Sequence, residues 1–415
     1  MFLTATVLRS SGSRAFFTVS AIALGFVLSS CGGRSSGAPP TQISGNRQSF
    51  SAPLEANAGA PAGTYRIVHN FGAAGDGADP SAALIATAGG TLYGTTLGGG
   101  TLGFGTVFRL TSTGTERVLH SFGAAGDGEN SYGLFNDRGT FYGTTEHTNA
   151  ATNCGTVFTI SAGGTEHIVH TFGNTPDGCN PVAPLAINYD GNLVGTTEHG
   201  GNAAGDGTSF IIISGALKVQ HAFKGTDGAS PQAPLKSLYS FVWGTTASGG
   251  SKNRGIIFAE NADTGAIINE HSFGGGTDGW QPSGGLLLLQ DVLYGPAQMG
   301  GLHGDGIIFS KSQANGVYKD LYDFKGSPDG AKPVGALVDV NGTFYGVTSG
   351  GGTSGLGTVF KITPTGTETV LHSFSGGTTD GSTPESGLVL SGTLLYGTTS
   401  LGGTSNNGTV FAISP

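Results

Sequence analysis

Histidine and aspartate recur in this sequence at a regular spacing, and both side chains can bind metals or transfer protons. Six histidines each lie two residues before a phenylalanine: His69, His120, His170, His221, His271 and His372. Asp-Gly pairs follow at Asp76, Asp127, Asp177, Asp227, Asp278, Asp329 and Asp380. The histidines could form a ring of metal ligands or bases, or each could be a buried group that ties one strand to its neighbour. Asp-Gly is also a common tight turn.

Two units depart from this regular pattern with side chains suited to ligand binding. Glu146-His147 and Glu198-His199 directly follow a Thr-Thr pair, where other units carry Leu, Ser, Ala or Gln. Trp280 directly follows an Asp-Gly pair. We predict that Glu146, His147, Glu198, His199 and Trp280 contribute to a ligand-binding site, with the indole stacking on a sugar. The alternatives are that these loop residues are only solvated and that the indole packs on its own unit.

Composition narrows the possible partners. Charged residues make up 11% of the chain and the formal net charge is −9, with no basic stripe, so nucleic acid is excluded as a partner. A carbohydrate or a protein stays open as the ligand. The sequence contains no nucleophile elbow, phosphate loop or zinc-protease motif, so it predicts no catalytic residue, no metal ligand and no cofactor.

These residues belong to a repeat. The phenylalanines that follow the histidine position are spaced alternately 51 and 50 residues apart, at Phe71, Phe122, Phe172, Phe223, Phe273, Phe324 and Phe374. A fixed period of this size indicates a repeat architecture. Alternating polar and β-branched segments separated by turn residues predict four short strands in each unit and no helix.

The order of the strands predicts how the repeats are arranged. We label the strands A (such as 387–390), B (394–399), C (408–413) and D (368–374). The repeat region opens with a lone D strand at 65–71 and closes with A, B and C, so each end supplies what the other lacks. We therefore predict an all-β, seven-bladed β-propeller over residues 65–415, with the N-terminal strand completing the last blade. A solenoid or sandwich array is the alternative.

Strand alternation sorts the loops and the remaining cysteines. In such blades the B–C and D–A loops share one face, where Cys154 and Cys179 both lie. We predict a disulfide between these two cysteines. Strand D lies roughly 14 Å from strand A, at three inter-strand spacings. The histidines of the D strands therefore cannot converge on one ligand, which favours their structural interpretation. A glycine recurs within each B strand, such as Gly94, and predicts a close approach of backbone.

The N-terminal region predicts export. Arg9 and Arg14 precede an apolar stretch, and residues Leu28 to Cys31 resemble the lipobox of bacterial lipoproteins. By that resemblance residues 1–30 are a lipoprotein signal peptide, and Cys31 carries the lipid that holds the protein to the membrane of the bacterial cell envelope. Gly32 in place of Asp favours the outer membrane. Residues 31–64 read as a flexible Gly/Ser/Pro tether. An ordinary cleaved signal peptide with a chance cysteine is the alternative.

The repeat itself resembles a known family. The phrase Leu92-Tyr-Gly-Thr-Thr96, followed by Gly98-Gly99-Gly100 and the segment 105–108, resembles the GloVer (Gloeo/Verruco) tandem repeat of bacterial exported proteins. The resemblance covers residues 65–415 and implies export and a propeller-like fold, without transferable catalytic residues. We expect a binding or scaffold module. The alternatives are an enzyme acting on extracellular polysaccharide, as a hydrolase or lyase, and a purely structural envelope protein. A deep axial pocket lined by two or more carboxylates and an aromatic residue would favour the enzyme, whereas a flat face would favour binding.

Overall fold

The computed structural model describes residues 61–149, 151–173, 175–274 and 276–415. The predicted signal peptide (1–30), Cys31 and most of the predicted tether (31–64) lie outside the described residues. Within the described part of the chain, no helix is both long and apolar enough to cross a membrane.

The described residues form seven four-stranded antiparallel sheets. The chain begins with β1 (Tyr65–Asn70). Blade 1 contains β2 (Gly77–Ala78), β3 (Ile85–Ala86), β4 (Leu92–Thr96), β5 (Gly98–Gly99), β6 (Thr106–Leu110) and β7 (Glu116–Ser121). Blade 2 contains β8 (Gly128–Asp137), β9 (Thr140–Thr148), β10 (Thr156–Ser161) and β11 (Glu166–Thr171). Blade 3 contains β12 (Ala186–Ile187), β13 (Leu193–Thr197), β14 (Thr208–Ile213) and β15 (Ala216–Ala222).

The remaining four blades follow the same order. Blade 4 contains β16 (Lys236–Leu238), β17 (Phe241–Thr246), β18 (Ile256–Asn261) and β19 (Ile267–Ser272). Blade 5 contains β20 (Gly279–Trp280), β21 (Leu287–Leu289), β22 (Val292–Ala297), β23 (Met299–Gly300), β24 (Ile307–Ser312) and β25 (Tyr318–Asp323). Blade 6 contains β26 (Gly330–Val340), β27 (Thr343–Gly351), β28 (Thr358–Ile362) and β29 (Glu368–Ser373). Blade 7 contains β30 (Gly381–Ser382), β31 (Val389–Ser391), β32 (Leu394–Thr399), β33 (Leu401–Gly402) and β34 (Thr409–Ile413).

The N-terminal strand closes the ring. Strand β1 is the fourth strand of blade 7 and pairs antiparallel with β34, with Tyr65 opposite Ile413 and Asn70 opposite Thr409. The backbone N–H of Gly63 extends this contact by donating to the carbonyl of Ser414 at 2.9 Å. The predicted seven-bladed propeller and its mode of closure are therefore confirmed.

Short extensions of the blades show that the D–A and B–C loops share a face, as predicted. In blade 1 the segment after the Asp-Gly turn pairs with the start of the B–C loop, β2 with β5. The same pairing occurs in blades 5 and 7, as β20 with β23 and β30 with β33. In blades 2 and 6 it is continuous with the long hairpins β8–β9 and β26–β27.

Phenylalanines hold adjacent blades together. Phe122, at the end of β7 in blade 1, packs edge-on against Phe158 of blade 2, with ring centroids 5.2 Å apart, and both side chains are fully buried. All seven blade interfaces carry such a pair, with centroids 5.2–5.4 Å apart. Each edge-to-face pair stabilises the interface by about 0.5–1.5 kcal/mol beyond the contribution of the apolar area that it buries.

The B-strand glycine makes room for this ring rather than for backbone. A Cβ atom on Gly143 would lie 2.3 Å from Cζ of Phe158, and one on Gly94 would lie 2.6 Å from Cζ of Phe108. The predicted close approach is therefore real, but the neighbour is an aromatic side chain of strand C. Sequence alone did not distinguish the two, because both require an absent side chain.

Candidate functional site

A cavity of about 510 Å³ lies on the axis of the ring. Every blade contributes to its wall, mainly through the residues just before the innermost strand. A proline lies four residues after the aspartate of six Asp-Gly pairs, and Ser131 takes its place in blade 2. The side chains most suited to ligand contact follow this position or follow the Thr-Thr pair, which is Pro-Ala in blade 5: Tyr132, Glu146, Glu198, Gln232, Gln298 and Glu385.

One backbone position repeats seven times at the rim of this cavity. The second residue after each Asp-Gly pair has a positive φ of 54–59° although none is glycine: Asp79, Asn130, Asn180, Ser230, Gln281, Lys332 and Thr383. Its N–H donates to a B–C loop carbonyl of the preceding blade, as from Asn180 to Cys154 at 3.0 Å. A left-handed residue is costly for most side chains unless its surroundings fix it. The repeated hydrogen bond fixes it here, and the following residues then face the axis.

Asn180 connects the two Glu-His pairs predicted from the sequence. Its side-chain amide donates to the carbonyl of Glu146 at 3.1 Å and lies 3.3 Å from Nδ1 of His147. Its own carbonyl accepts the N–H of Glu198 at 2.8 Å. The deviating loops of blades 2 and 3 are therefore held together by one side chain and its backbone.

The Glu-His pairs present their carboxylates to the cavity. Glu146 and Glu198 line its wall, and the Nε2 atoms of His147 and His199 lie 3.7 and 3.8 Å from their carboxylates. Gln232 of blade 4 also donates to Oε1 of Glu198 at 2.8 Å. Two of the five residues predicted to bind a ligand, Glu146 and Glu198, thus line the axial cavity, and His147 and His199 lie beside them without lining it.

Trp280 lies apart from this group. It is half-buried and packs against the apolar cluster between blades 4 and 5. The guanidinium of Arg254, from the B–C loop of blade 4, lies 5.1 Å from the centre of the indole ring. Trp280 is not among the residues that line the cavity. It therefore lies at the interface between blades 4 and 5, rather than packing on its own blade alone.

Two cavity residues were missed by sequence reasoning. Burial raises the pKa of the Tyr132 phenol well above its usual range, and the neighbouring carboxylates of Glu146, Asp79 and Glu385 raise it further. Glu385 accepts a hydrogen bond from the Ser400 hydroxyl at 3.2 Å. Both follow the position of the repeated proline, where other blades have Ser, Val or Gln. A comparison of that single position across the repeats would have found them.

The wall of the cavity is acidic. Three glutamates line it, and among the described residues that form the wall there is no Lys or Arg. Carboxylate, amide and hydroxyl groups can together accept and donate hydrogen bonds to a polyhydroxyl ligand. An anionic ligand would meet repulsion without a compensating cation.

The predicted disulfide is present next to this site. Cys154 and Cys179 are bonded, with their Cα atoms 4.4 Å apart. Cys179 also exchanges two backbone hydrogen bonds with His199, at 2.7 and 2.9 Å. The bond therefore ties the B–C loop of blade 2 to the segment that pairs with the Glu198-His199 loop. A disulfide is consistent with an extracytoplasmic protein.

The repeated histidines lie at the outer edge, as the strand order predicts. Each donates or accepts a hydrogen bond with the aspartate of its own D–A turn, as between His120 Nε2 and Asp127 Oδ2 at 2.9 Å. Tyr322 makes the equivalent bond to Asp329 at 2.9 Å. The expected partner was a neighbouring strand. The turn aspartate is the partner instead, and at Asp76, Asp127, Asp329 and Asp380 its other oxygen accepts the N–H of the following glycine.

Seven antiparallel blades around an axial cavity define this chain as a seven-bladed β-propeller with an axial, acidic candidate site. The Gloeobacter/Verrucomicrobia repeat matches residues 59–240 and 187–411, so the chain belongs to that family. No curated protein matches it.

Solved structures resemble the chain in fold. An oligogalacturonate lyase in complex with manganese is 13% identical, with a TM-score of 0.51, over 79% of this chain and 86% of that chain. The oligogalacturonate lyase of Vibrio parahaemolyticus is 11% identical, with a TM-score of 0.53, over 81% of this chain and 89% of that chain.

Proposed function

We propose that this protein binds an extracellular carbohydrate in its axial cavity. The observation that carries the proposal is the convergence of Glu146, Glu198, Glu385 and Tyr132 on one cavity to which all seven blades contribute. Sugar rings offer hydroxyl donors to carboxylates and an apolar face to an aromatic ring. Because the wall is acidic, the favoured ligand is a neutral or amino sugar rather than a uronate.

Binding can be tested with purified protein and oligosaccharides of three classes, neutral, amino and uronic, on a glycan array followed by calorimetry. We expect neutral or amino sugars to bind and uronic sugars to fail. Glu146→Gln/Glu198→Gln should weaken binding at least tenfold, since a lost charged hydrogen bond costs about 1.5–3 kcal/mol.

The matched control removes the same two charges from the opposite face of the same blades. Asp137 is the partly exposed last residue of β8, next to the A–B turn of blade 2, and Asp190 is exposed in the A–B turn of blade 3. Asp137→Asn/Asp190→Asn should leave the affinity unchanged. Equal loss in both double variants would reduce the effect to net charge and contradict a cavity site.

A second candidate is an enzyme that cleaves a glycosidic bond. The axial cavity is lined by three carboxylates and a tyrosine, which is the set of side chains expected above for a glycan-cleaving enzyme. Paired carboxylates can supply the general acid and the base or nucleophile of glycoside hydrolysis. The oligogalacturonate lyases of similar fold act, by name, on a uronate, which is the class that the acidic wall disfavours here.

Turnover separates the two candidates. Incubation of a bound oligosaccharide with the protein, with measurement of new reducing ends, should give a rate that Glu146→Gln, Glu198→Gln or Glu385→Gln abolishes. Binding without any product would leave a binding module as the function.

We propose in addition that the protein is exported and anchored by lipid on Cys31. The lipobox-like segment supports this, and the disulfide fits an oxidising compartment. Labelling of cells with an alkyne fatty acid should mark the wild-type protein and not Cys31→Ser. A released, unlabelled wild-type protein would contradict the anchor.

A further inference from the structure

A glutamate joins the His–Asp pair at two neighbouring blade interfaces. Between blades 1 and 2, ligand atoms of His120, Asp127 and Glu166 all lie within 4.8 Å of one another. Between blades 7 and 1, His69 and Asp76 lie 3.2 Å apart beside Glu116. We propose that each of these two clusters binds a divalent metal ion, with one imidazole nitrogen and two carboxylates as ligands.

The glutamates supply the observation that points to a ligand. The Oε1 atoms of Glu116, Glu166 and Glu368 are buried and have no hydrogen-bond partner among the described residues, and only the first two lie beside a His–Asp pair. An unpartnered buried carboxylate oxygen is costly, and a cation removes that cost more completely than a neutral donor.

The geometry requires only a small closure to hold a metal. Ligand atoms of a tetrahedral zinc site lie roughly 3.3 Å apart, from metal–ligand distances of about 2.0–2.1 Å. The His120–Asp127 distance is 2.9 Å, so only the glutamate must move inward. A side-chain rotation is enough for that, because Glu166 begins an outer strand and is half-buried.

Open space is present for the remaining coordination positions. A cavity of about 340 Å³ adjoins the cluster of His69, Asp76 and Glu116, and Val118 and residues 73–75 complete its lining. It can hold water molecules that complete the coordination of the metal. A donor set of one nitrogen and two oxygens suits Zn²⁺ or Mn²⁺.

The repeat provides natural controls that lack one ligand each. Between blades 2 and 3, Leu217 occupies the register position of Glu116, so His170 and Asp177 have no glutamate. Between blades 5 and 6, Glu368 and Asp329 are present but Tyr322 replaces the histidine. Neither interface can supply the three ligands, and neither should bind metal as tightly.

Metal stoichiometry tests the proposal. The purified chain is stripped with a chelator, dialysed against limiting Zn²⁺ or Mn²⁺, and its bound metal is measured by mass spectrometry. We expect one equivalent for each cluster. Glu116→Gln and Glu166→Gln should each lose one equivalent and the double variant both, while Glu368→Gln should match wild type.

Two readouts keep the test decisive. Melting of the metal-free proteins shows whether the near-isosteric variants are folded, and added metal should raise the melting temperature of wild type but not of the double variant. Absence of bound metal in wild type, or unchanged stoichiometry in the double variant, would overturn the proposal. Loss of metal only in His147→Ala/His199→Ala would place the ion at the axis and would overturn it too.

Discussion

The outer edge of the ring and the wall of the axial cavity follow opposite rules. At the outer edge, six blades carry the same His–Asp hydrogen bond and the seventh keeps its geometry with Tyr322 and Asp329. Around the axis, the position after the proline is Ser81 in one blade, Tyr132 in the next and Glu385 in another. The repeated residues pack each blade against the next, whereas the residues that vary give one side of the axial cavity its own chemistry.

The largest expected effect comes from breaking a repeated packing position. Phe158→Ala removes a fully buried ring that fills the space left by Gly143 and contacts Phe122. Its free energy of unfolding should fall by about 3–5 kcal/mol. Urea denaturation measures this, and a loss below about 1 kcal/mol would contradict a shared aromatic interface.

Removing the disulfide tests whether the variable face depends on the scaffold. Cys154→Ser/Cys179→Ser opens a link with a sequence separation of 25, which should cost about 3 kcal/mol in unfolding free energy. Because Cys179 pairs with His199, hydrogen exchange at residues 198–199 should also accelerate. Destabilisation without faster exchange there would show that the loops hold their positions without the bond.

A buried carboxylate offers a third test, through pH. Glu260 is 1% exposed and occupies the register position of Leu110, with the Ser209 hydroxyl as its hydrogen-bond donor at 2.8 Å. Burial raises the pKa of this carboxyl to about 7, although the Ser209 hydrogen bond lowers it somewhat.

The sign follows from the raised value. Below pH 4.5 Glu260 is protonated in both the folded and the unfolded chain, so its contribution is fully present. Between pH 4.5 and about 7 only the unfolded chain ionises, and stability falls as pH rises. At pH 8 the free energy of unfolding of Glu260→Gln, measured by urea denaturation, should therefore exceed that of wild type by about 2–3 kcal/mol. At pH 4 the two proteins should be equally stable. Parallel curves for the two proteins would refute the assignment, and Asp190→Asn is the exposed control.

The smallest effect on stability is expected at the cavity wall. Glu146→Gln/Glu198→Gln should change the free energy of unfolding by less than about 1 kcal/mol, because both side chains are partly exposed and a glutamine can still accept the hydrogen bond from Gln232. Glycan binding should change strongly in the same variant. A large loss of stability would instead assign these glutamates to the scaffold and blur the contrast with the outer edge.

The sequence predicted the strands and the closure of the ring better than it predicted the contacts of individual side chains. Strand B of blade 7 was predicted at 394–399 and is observed there, and the ends of the repeat showed how the ring closes. The reason for Gly143 was not readable, because it depends on a ring from the next strand. Trp280 looked suited to a ligand, yet its contacts with Arg254 and with the apolar cluster between blades 4 and 5 are set by packing that sequence does not show.

The cavity residues were readable only in part. Glu146 and Glu198 stood out because they break the repeat with a charge beside a histidine. Tyr132 and Glu385 break the repeat as well. They belong to blades 2 and 7 and are far apart in the sequence, yet both line the axial cavity. Their convergence is a property of the closed ring, which brings seven distant segments to one axis.

Closure by β1 has a consequence for how the molecule is made. Of the ring's strands, the one that is synthesised first must wait for β34, more than 300 residues later, before it gains its partner. Until then one blade is incomplete and offers an open sheet edge to other chains. Contacts of such long sequence separation slow folding, so assembly of the ring is expected to be limited by this last pairing. The newly made chain is therefore most exposed to aggregation in the interval before β1 pairs with β34.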